Sequence, residues 1–221
     1  MEEEKVVKKF SFVKLLLVLL IMYVIGYFGY RVAISRITNI YIKNNNILTD
    51  QEVIDASGLK NYPSFILTTN YSIKNKLLKN NLVKKVKVKK GLWGKVYIDI
   101  EEYKPLFIYE YKVILDNKNE VDLDISLPIL VNKVDDDILD KLISKYESVN
   151  DEIKLMISEI RYDPNDIDKE RFLFTMSDGN YVYITLYKLS SIDEYLKITS
   201  TLKDKKGILY LDSGNYFEVF K

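Results

Sequence analysis

The sequence contains neither cysteine nor histidine. Without thiols there can be no disulfide, thiolate nucleophile or thiolate zinc site, and without imidazole there can be no Ser-His-Asp or Cys-His catalysis. Only carboxylates, lysines, tyrosines and hydroxyls remain for chemistry. A net field is missing as well. The 33 basic residues meet 32 acidic ones for a net charge of +1, so nothing draws nucleic acid or an acidic polymer to the molecule as a whole. No internal repeat or low-complexity tract stands out. What is present is 48% apolar and 29% charged over 221 residues, the composition of a folded chain of one or two domains.

One long apolar run dominates the start. Residues 15–30 (LLLVLLIMYVIGYFGY) carry no charge, but sixteen residues reach only about 24 Å against a hydrocarbon layer of about 30 Å. Extension back through Val13 and Phe12 to Phe10 gives about 31 Å, with the Lys14 ammonium snorkelling to the near interface. A transmembrane helix is therefore expected over residues 10–30, after a short tail of residues 1–9. Lys5, Lys8, Lys9 and Lys14 precede the span, while Arg31 and Arg36 follow it, which places the tail in the cytoplasm and the remainder outside. Tyr23, Tyr27, Phe28 and Tyr30 gather at the far end, where amphipathic rings favour the headgroup layer. A cleaved signal peptide is the competing reading. The apolar run is longer than a typical signal core, and residues 26–30 offer no small-x-small cleavage site.

Beyond the span, Ile37 to Lys43 reads as a strand ended by Asn44-Asn45-Asn46. Thr49 and Glu52 form a capping-box pattern opening a helix that Gly58 closes, and a second helix follows Pro63, starting near Asn70 or Ser72. Val86 and Val88 alternate with Lys85, Lys87 and Lys89, and Val96, Ile98 and Ile100 alternate with Tyr97, Asp99 and Glu101. Joined by Gly91-Leu92-Trp93-Gly94, these predict a hairpin, and the order β-α-α-β-β predicts two helices on one face of a three-stranded sheet. Pro105 marks a break. After it come a strand over residues 106–115 and another over 120–123, flanking Asp116-Asn117-Lys118-Asn119. Helical spacing recurs over 137–149, 152–157 and 191–202, strands flank Asp178-Gly179 at 172–176 and 181–186, and a last pair covers 208–211 and 216–220.

Several of these stretches, in this order and spacing, resemble the FtsQ/DivIB family of bacterial cell-division proteins. They are Ile37-Thr38-Asn39-Ile40-Tyr41-Ile42 directly after the span, Leu48-Thr49-Asp50-Gln51-Glu52-Val53-Ile54, Ser57-Gly58-Leu59, and residues 83–88. Ile98-Asp99-Ile100-Glu101-Glu102-Tyr103-Lys104-Pro105, Leu127-Pro128-Ile129-Leu130, Ile157-Ser158-Glu159-Ile160 and Leu211-Asp212-Ser213-Gly214 complete the set. The chain departs from the family pattern in its short cytoplasmic tail and in lacking a long C-terminal extension. The resemblance implies an α+β chain: a single transmembrane helix, a POTRA domain (β-α-α-β-β) over 37–104, and a mixed β-rich domain with helices over 105–221. It further implies a non-enzymatic scaffold of the division septum, without cofactor, in the cell membrane. The implied partners are small bitopic division proteins of the FtsL and DivIC/FtsB kind, and also the septal peptidoglycan synthase. The matching positions for a partner strand to add are Tyr216, Phe217, Glu218, Val219 and Phe220. An edge there would offer unpaired N–H and C=O groups, with alternate side chains setting specificity; the plainer alternative is a terminal strand paired inward.

Other features admit sharper and blander readings. Lys84, Lys85, Lys87, Lys89 and Lys90 could form a nucleic-acid stripe, but their alternation with valine makes them the solvated face of a strand. Contact with anionic lipid or wall polymer is a further option. Asp163, Asn165, Asp166 and Asp168 echo a calcium loop yet lack its glycine and its bidentate glutamate, with Ile167 at a ligand position. Asp135, Asp136 and Asp137 suit a helix N-terminus, and Trp93 could be an interaction anchor or fold back on its domain. Lys188, Ser190 and Ser191 carry no Ser-Lys hydrolase motif. A membrane-anchored extracytoplasmic enzyme built on lysine or carboxylates, or a sensory or surface-binding module, remain the alternatives to the scaffold.

Overall fold

The computed structural model describes residues 12–202 and 205–221. The tail expected over 1–9 and the first residues of the expected span lie outside them. Helix α1 (Phe12–Ala33) continues three residues beyond the expected end of the span. Its 22 residues give a length of about 33 Å, and the segment Phe12–Val32 is the one described helix long and apolar enough to cross a membrane. None of that segment is buried against the rest of the chain.

The chain divides into two compact units between Glu102 and Tyr103, the first of which includes α1. In the first, β1 (Asn39–Lys43), α2 (Asp50–Ser57), α3 (Asn70–Leu77), β2 (Val83–Lys90) and β3 (Lys95–Glu102) follow in the expected β-α-α-β-β order. The sheet order is β1-β3-β2, with β1 parallel and β2 antiparallel to β3. Local chemistry accounts for the helix ends. The Thr49 side chain accepts from the Glu52 N–H while the Glu52 carboxylate accepts from the Thr49 N–H at 2.8 Å, and Gly58 takes the left-handed conformation at φ 75°. Glu102 closes the unit from the far side: its carboxylate accepts from the N–H groups of Asn46, Ile47 and Leu48 at 2.8–2.9 Å. The core is Val53, Leu59, Ile73, Leu77 and the inward faces of β2 and β3, namely Val86, Val96, Ile98 and Ile100.

The second unit holds a nine-stranded mixed sheet of order β12-β11-β10-β9-β8-β7-β4-β5-β6. Its elements run β4 (Pro105–Tyr109), β5 (Lys112–Leu115), β6 (Glu120–Val121), β7 (Ile129–Leu130), α4 (Asp136–Tyr146), α5 (Asp151–Lys154), β8 (Ile157–Tyr162), β9 (Arg171–Met176) and β10 (Tyr181–Thr185). A 3-10 helix (Leu186–Glu194), α5's successor α6 (Tyr195–Ser200), β11 (Gly207–Tyr210) and β12 (Tyr216–Val219) complete it. One apolar cluster joins Leu142, Ile143 and Tyr146 of α4, Leu189 and Ile192 of the 3-10 helix, and Phe172, Phe174, Val182 and Ile184 of the sheet. The helices therefore cover one face, and the other face has no helical layer among the described residues.

Three expectations need correction. The strand expected over 106–115 is a hairpin, because Glu110 and Tyr111 turn the chain at φ 47° and 66°. The helical stretch expected over 152–157 ends at Lys154, and Ile157 opens β8; a bulge between Ile157 and Glu159 lets Ile157 and Ile160 share the core face at helix-like spacing. The helix expected over 191–202 begins as the 3-10 helix and becomes α-helical only at Tyr195.

A candidate strand-addition edge

Strand β12 is the outer strand of the nine-stranded sheet. It pairs antiparallel with β11 along Gly207↔Val219, Ile208↔Glu218, Leu209↔Phe217 and Tyr210↔Tyr216, and its other side faces no described strand. Four of the five sequence-predicted residues form β12. The fifth, Phe220, lies just beyond it; its N–H donates to the Lys206 carbonyl at 2.9 Å, and its ring meets Tyr181 edge-on at 6.0 Å.

The alternation of β12 gives the two sides different tasks. Phe217 stands opposite buried Leu209 and packs on the core, so it is a structural residue more than a contact residue. Beside it an open groove runs between α6 and β12, whose lining includes Ile198, Leu209, Leu211 and Phe217 together with the charged Glu194 and Lys197. On the opposite face Tyr216 stacks on Tyr210 with centroids 4.5 Å apart, Tyr210 stacks on Tyr183 at 5.4 Å, and the Arg171 guanidinium covers the Tyr183 ring at 3.6 Å. This ladder ties the edge strand to β11, β10 and β9. Arg171 is held in turn by Asp212 (2.8 Å from Nε) and Asp163 (2.6 Å from Nη1). Burial works against the charge on Arg171, but the Asp212 hydrogen bond and the nearby carboxylates outweigh it and raise the pKa above the ordinary value. Glu218 accepts from the Tyr210 hydroxyl at 3.2 Å. Tyr216, Val219 and Phe220 stay exposed.

Close approach holds the pair together. A Cβ on Gly207 would lie 2.0 Å from the Glu218 carbonyl oxygen, so only glycine lets β12 come this near. The Gly207 N–H donates to the Asn180 side chain, which also donates to the Tyr195 hydroxyl at 2.9 Å, and that hydroxyl donates to Asp178. Sequence reading missed Arg171, Tyr183, Tyr210 and Gly207. Their spacing along the chain carries no local signal, because the register of four strands brings them together.

The remaining sequence candidates have other occupations. Asp163 pairs with Arg171, the Asn165 side chain accepts from the N–H groups of Ile167 and Asp168, and Asp168 accepts from the Glu170 N–H. Among the described residues no cluster of three or more carboxylates is placed to hold a metal. Lys188 donates to the Asp212 carbonyl and Ser191 to the Lys188 carbonyl, which leaves the serine hydroxyl without a lysine base. Asp135 makes no side-chain cap, while Asp136 and Asp137 fill the first turn of α4. Trp93 is exposed and does not fold back on its domain.

Known proteins resemble the chain as a whole. The model of the POTRA domain, FtsQ-type, matches residues 35–103. The cell division protein DivIB of Bacillus subtilis (strain 168) is 31% identical, the alignment covering 95% of this chain and 82% of that protein. DivIB of Bacillus anthracis is 27% identical over 91% of this chain and 78% of the relative, and DivIB of Listeria monocytogenes is 27% identical over 85% and 74%. Among solved structures, the major extracytoplasmic domain of the trans isomer of DivIB from Geobacillus stearothermophilus matches at 20% identity and a TM-score of 0.39. That match covers 47% of this chain and 96% of the other.

Proposed function

The chain belongs to the FtsQ/DivIB family of bacterial cell-division proteins, and from that premise we propose that it is a non-enzymatic scaffold of the division septum, acting through protein contacts. It takes part in cell division. Its α1 is the membrane anchor, with the N-terminus in the cytoplasm and the remainder of both compact units outside. Its partners are small bitopic division proteins of the FtsL and DivIC/FtsB kind, together with the septal peptidoglycan synthase. One observation carries the mode of binding: β12, an aromatic, lysine-free strand at the end of a large sheet, has one side unpaired among the described residues. A partner strand added there would satisfy the free N–H and C=O groups, with Tyr216, Glu218 and Val219 the exposed side chains of β12.

The test substitutes Val219→Lys, which places on β12 the kind of charge that guards exposed edges. Affinity for the purified partner complex is expected to fall at least about tenfold, roughly 1.4 kcal/mol, with the thermal transition of the chain unchanged. Undiminished affinity would remove β12 as the contact. Independently, an N-terminal fluorescent fusion is expected to form a midcell band during constriction; uniform membrane fluorescence would count against the septal role.

A further inference from the structure

The first compact unit carries an apolar patch at the end where the chain leaves α1. Leu92 and Trp93, at the tip of the β2–β3 hairpin, are 79% and 86% exposed, and Leu67 in the loop between α2 and α3 is 82% exposed. Ile66 and Tyr62 of the same loop are exposed as well. Large apolar side chains standing this far into water on two neighbouring loops need a reason.

The hydrogen bonds of residues 35–38 supply one. The Ser35 carbonyl accepts from the Phe65 N–H at 2.9 Å, and the Ile37 N–H donates to the Pro63 carbonyl at 3.0 Å, which binds the post-helix segment to the α2–α3 loop. The Thr38 N–H donates to the Gly94 carbonyl at 2.9 Å and the Thr38 hydroxyl to the Trp93 carbonyl at 2.8 Å, which binds it to the hairpin tip. Gly94 stands at φ 74°, and a Cβ there would meet the Arg36 carbonyl oxygen at 2.5 Å; the hairpin tip is built to lie against this segment. Both loops are thus fastened within five residues of the end of α1. Lys90 joins them, its ammonium donating to the Phe65 carbonyl and lying 4.5 Å from that ring's centroid.

Charge agrees with position. From Ala56 to Ile98 the sequence has ten lysines and no acidic residue, although the whole chain is nearly neutral. Arg36 lies within the segment bound to the two loops, Lys90 bonds the Phe65 carbonyl, and Lys95 follows Gly94 directly in the chain. Tryptophan and leucine flanked by lysine and arginine is the composition that settles at a bilayer interface, the rings at headgroup level and the cations toward anionic lipid.

We propose that the hairpin tip Leu92-Trp93 and the loop residues Ile66-Leu67 seat in the headgroup layer of the membrane that α1 crosses, so that the first unit docks on the lipid surface as well as being tethered to it. This rests on reading α1 as a span. Trp93 is the single tryptophan of the chain and reports directly. With the full chain in vesicles containing anionic lipid, its emission is expected to be blue-shifted, shielded from aqueous iodide, and quenched more by lipids brominated near the headgroup than by those brominated at the chain end. A Leu67→Glu, Leu92→Glu double variant is expected to lose most of that lipid quenching. Flotation with the vesicles after an alkaline wash tests the span alone. Loss of flotation would remove the span and this proposal with it. Flotation retained, with Trp93 quenched by iodide and indifferent to brominated lipid, would overturn this proposal only, as would lipid quenching unaltered by the double variant.

Discussion

The two units end their sheets in opposite ways. Strand β2 of the first is eight residues long with a flank that faces no described strand, and five of those residues are lysines. Strand β12 of the second is four residues long and offers Tyr-Phe-Glu-Val. Length alone would make β2 the better template for a passing strand. Its lysines reverse that order, because adding a strand would desolvate charge after charge, and natural proteins use edge lysine for this purpose. On β12 the same flank is unguarded while its faces are braced, by the Arg171–Tyr183–Tyr210–Tyr216 ladder on one side and Phe217 in the core on the other. On the strand-addition proposal, such bracing before binding leaves little ordering to oppose it.

The largest effect expected on this contrast comes from Gly207→Ala. The added Cβ cannot coexist with the Glu218 carbonyl at 2.0 Å, so β12 must leave β11. Loss of about 3 kcal/mol in chemical denaturation of the second unit and loss of partner binding are expected together; binding retained would show that β12 is not the contact. A smaller change should remove the guard on the other edge. Lys87→Thr with Lys89→Thr is expected to shift stability by less than about 0.5 kcal/mol, while raising concentration-dependent self-association in light scattering. The smallest is a pH effect inside the first unit, away from both edges. The Thr49 N–H and hydroxyl hold Glu52 below its ordinary pKa of 4.5. The folded state thus favours the ionised form, and the stabilisation is present above the unfolded pKa and lost as pH falls through the lowered folded value. Glu52→Gln should flatten this acid-side slope in thermal melts, leaving both edges as they were.

Legibility followed the range of the interaction. The capping box at Thr49 and Glu52, the left-handed Gly58 and the alternating hairpin 83–102 are written within a few residues, and the structure repeats them. The turn at Glu110-Tyr111 is not, since neither residue favours positive φ and only the pairing of β4 with β5 compels it. The helical stretch expected over 152–157 stops short because the chain turns at Leu155 and Met156, and Ile157, in β8, is claimed by pairing with Met176. The two-residue strand β7 is too short for any periodicity and exists through its neighbours β4 and β8. At the edge, residues 216–220 are singled out by family likeness and remain a proposal as a contact, whereas the different surroundings of Phe217 and Tyr216 need the register with β11. The bracing ladder joins residues 171 and 216 through four strands, and no window along the chain contains it.

By Thr38 the chain has already committed its backbone to two loops, and β1 begins at the next residue. There is no slack between anchor and unit. A flexible linker of a dozen residues would let a tethered unit sample a volume roughly 20 Å across; here that volume collapses to about the size of the unit itself. On the proposed reading of α1 as a span, the first unit is then confined to a thin layer above the bilayer, held at a fixed height and searching in two dimensions.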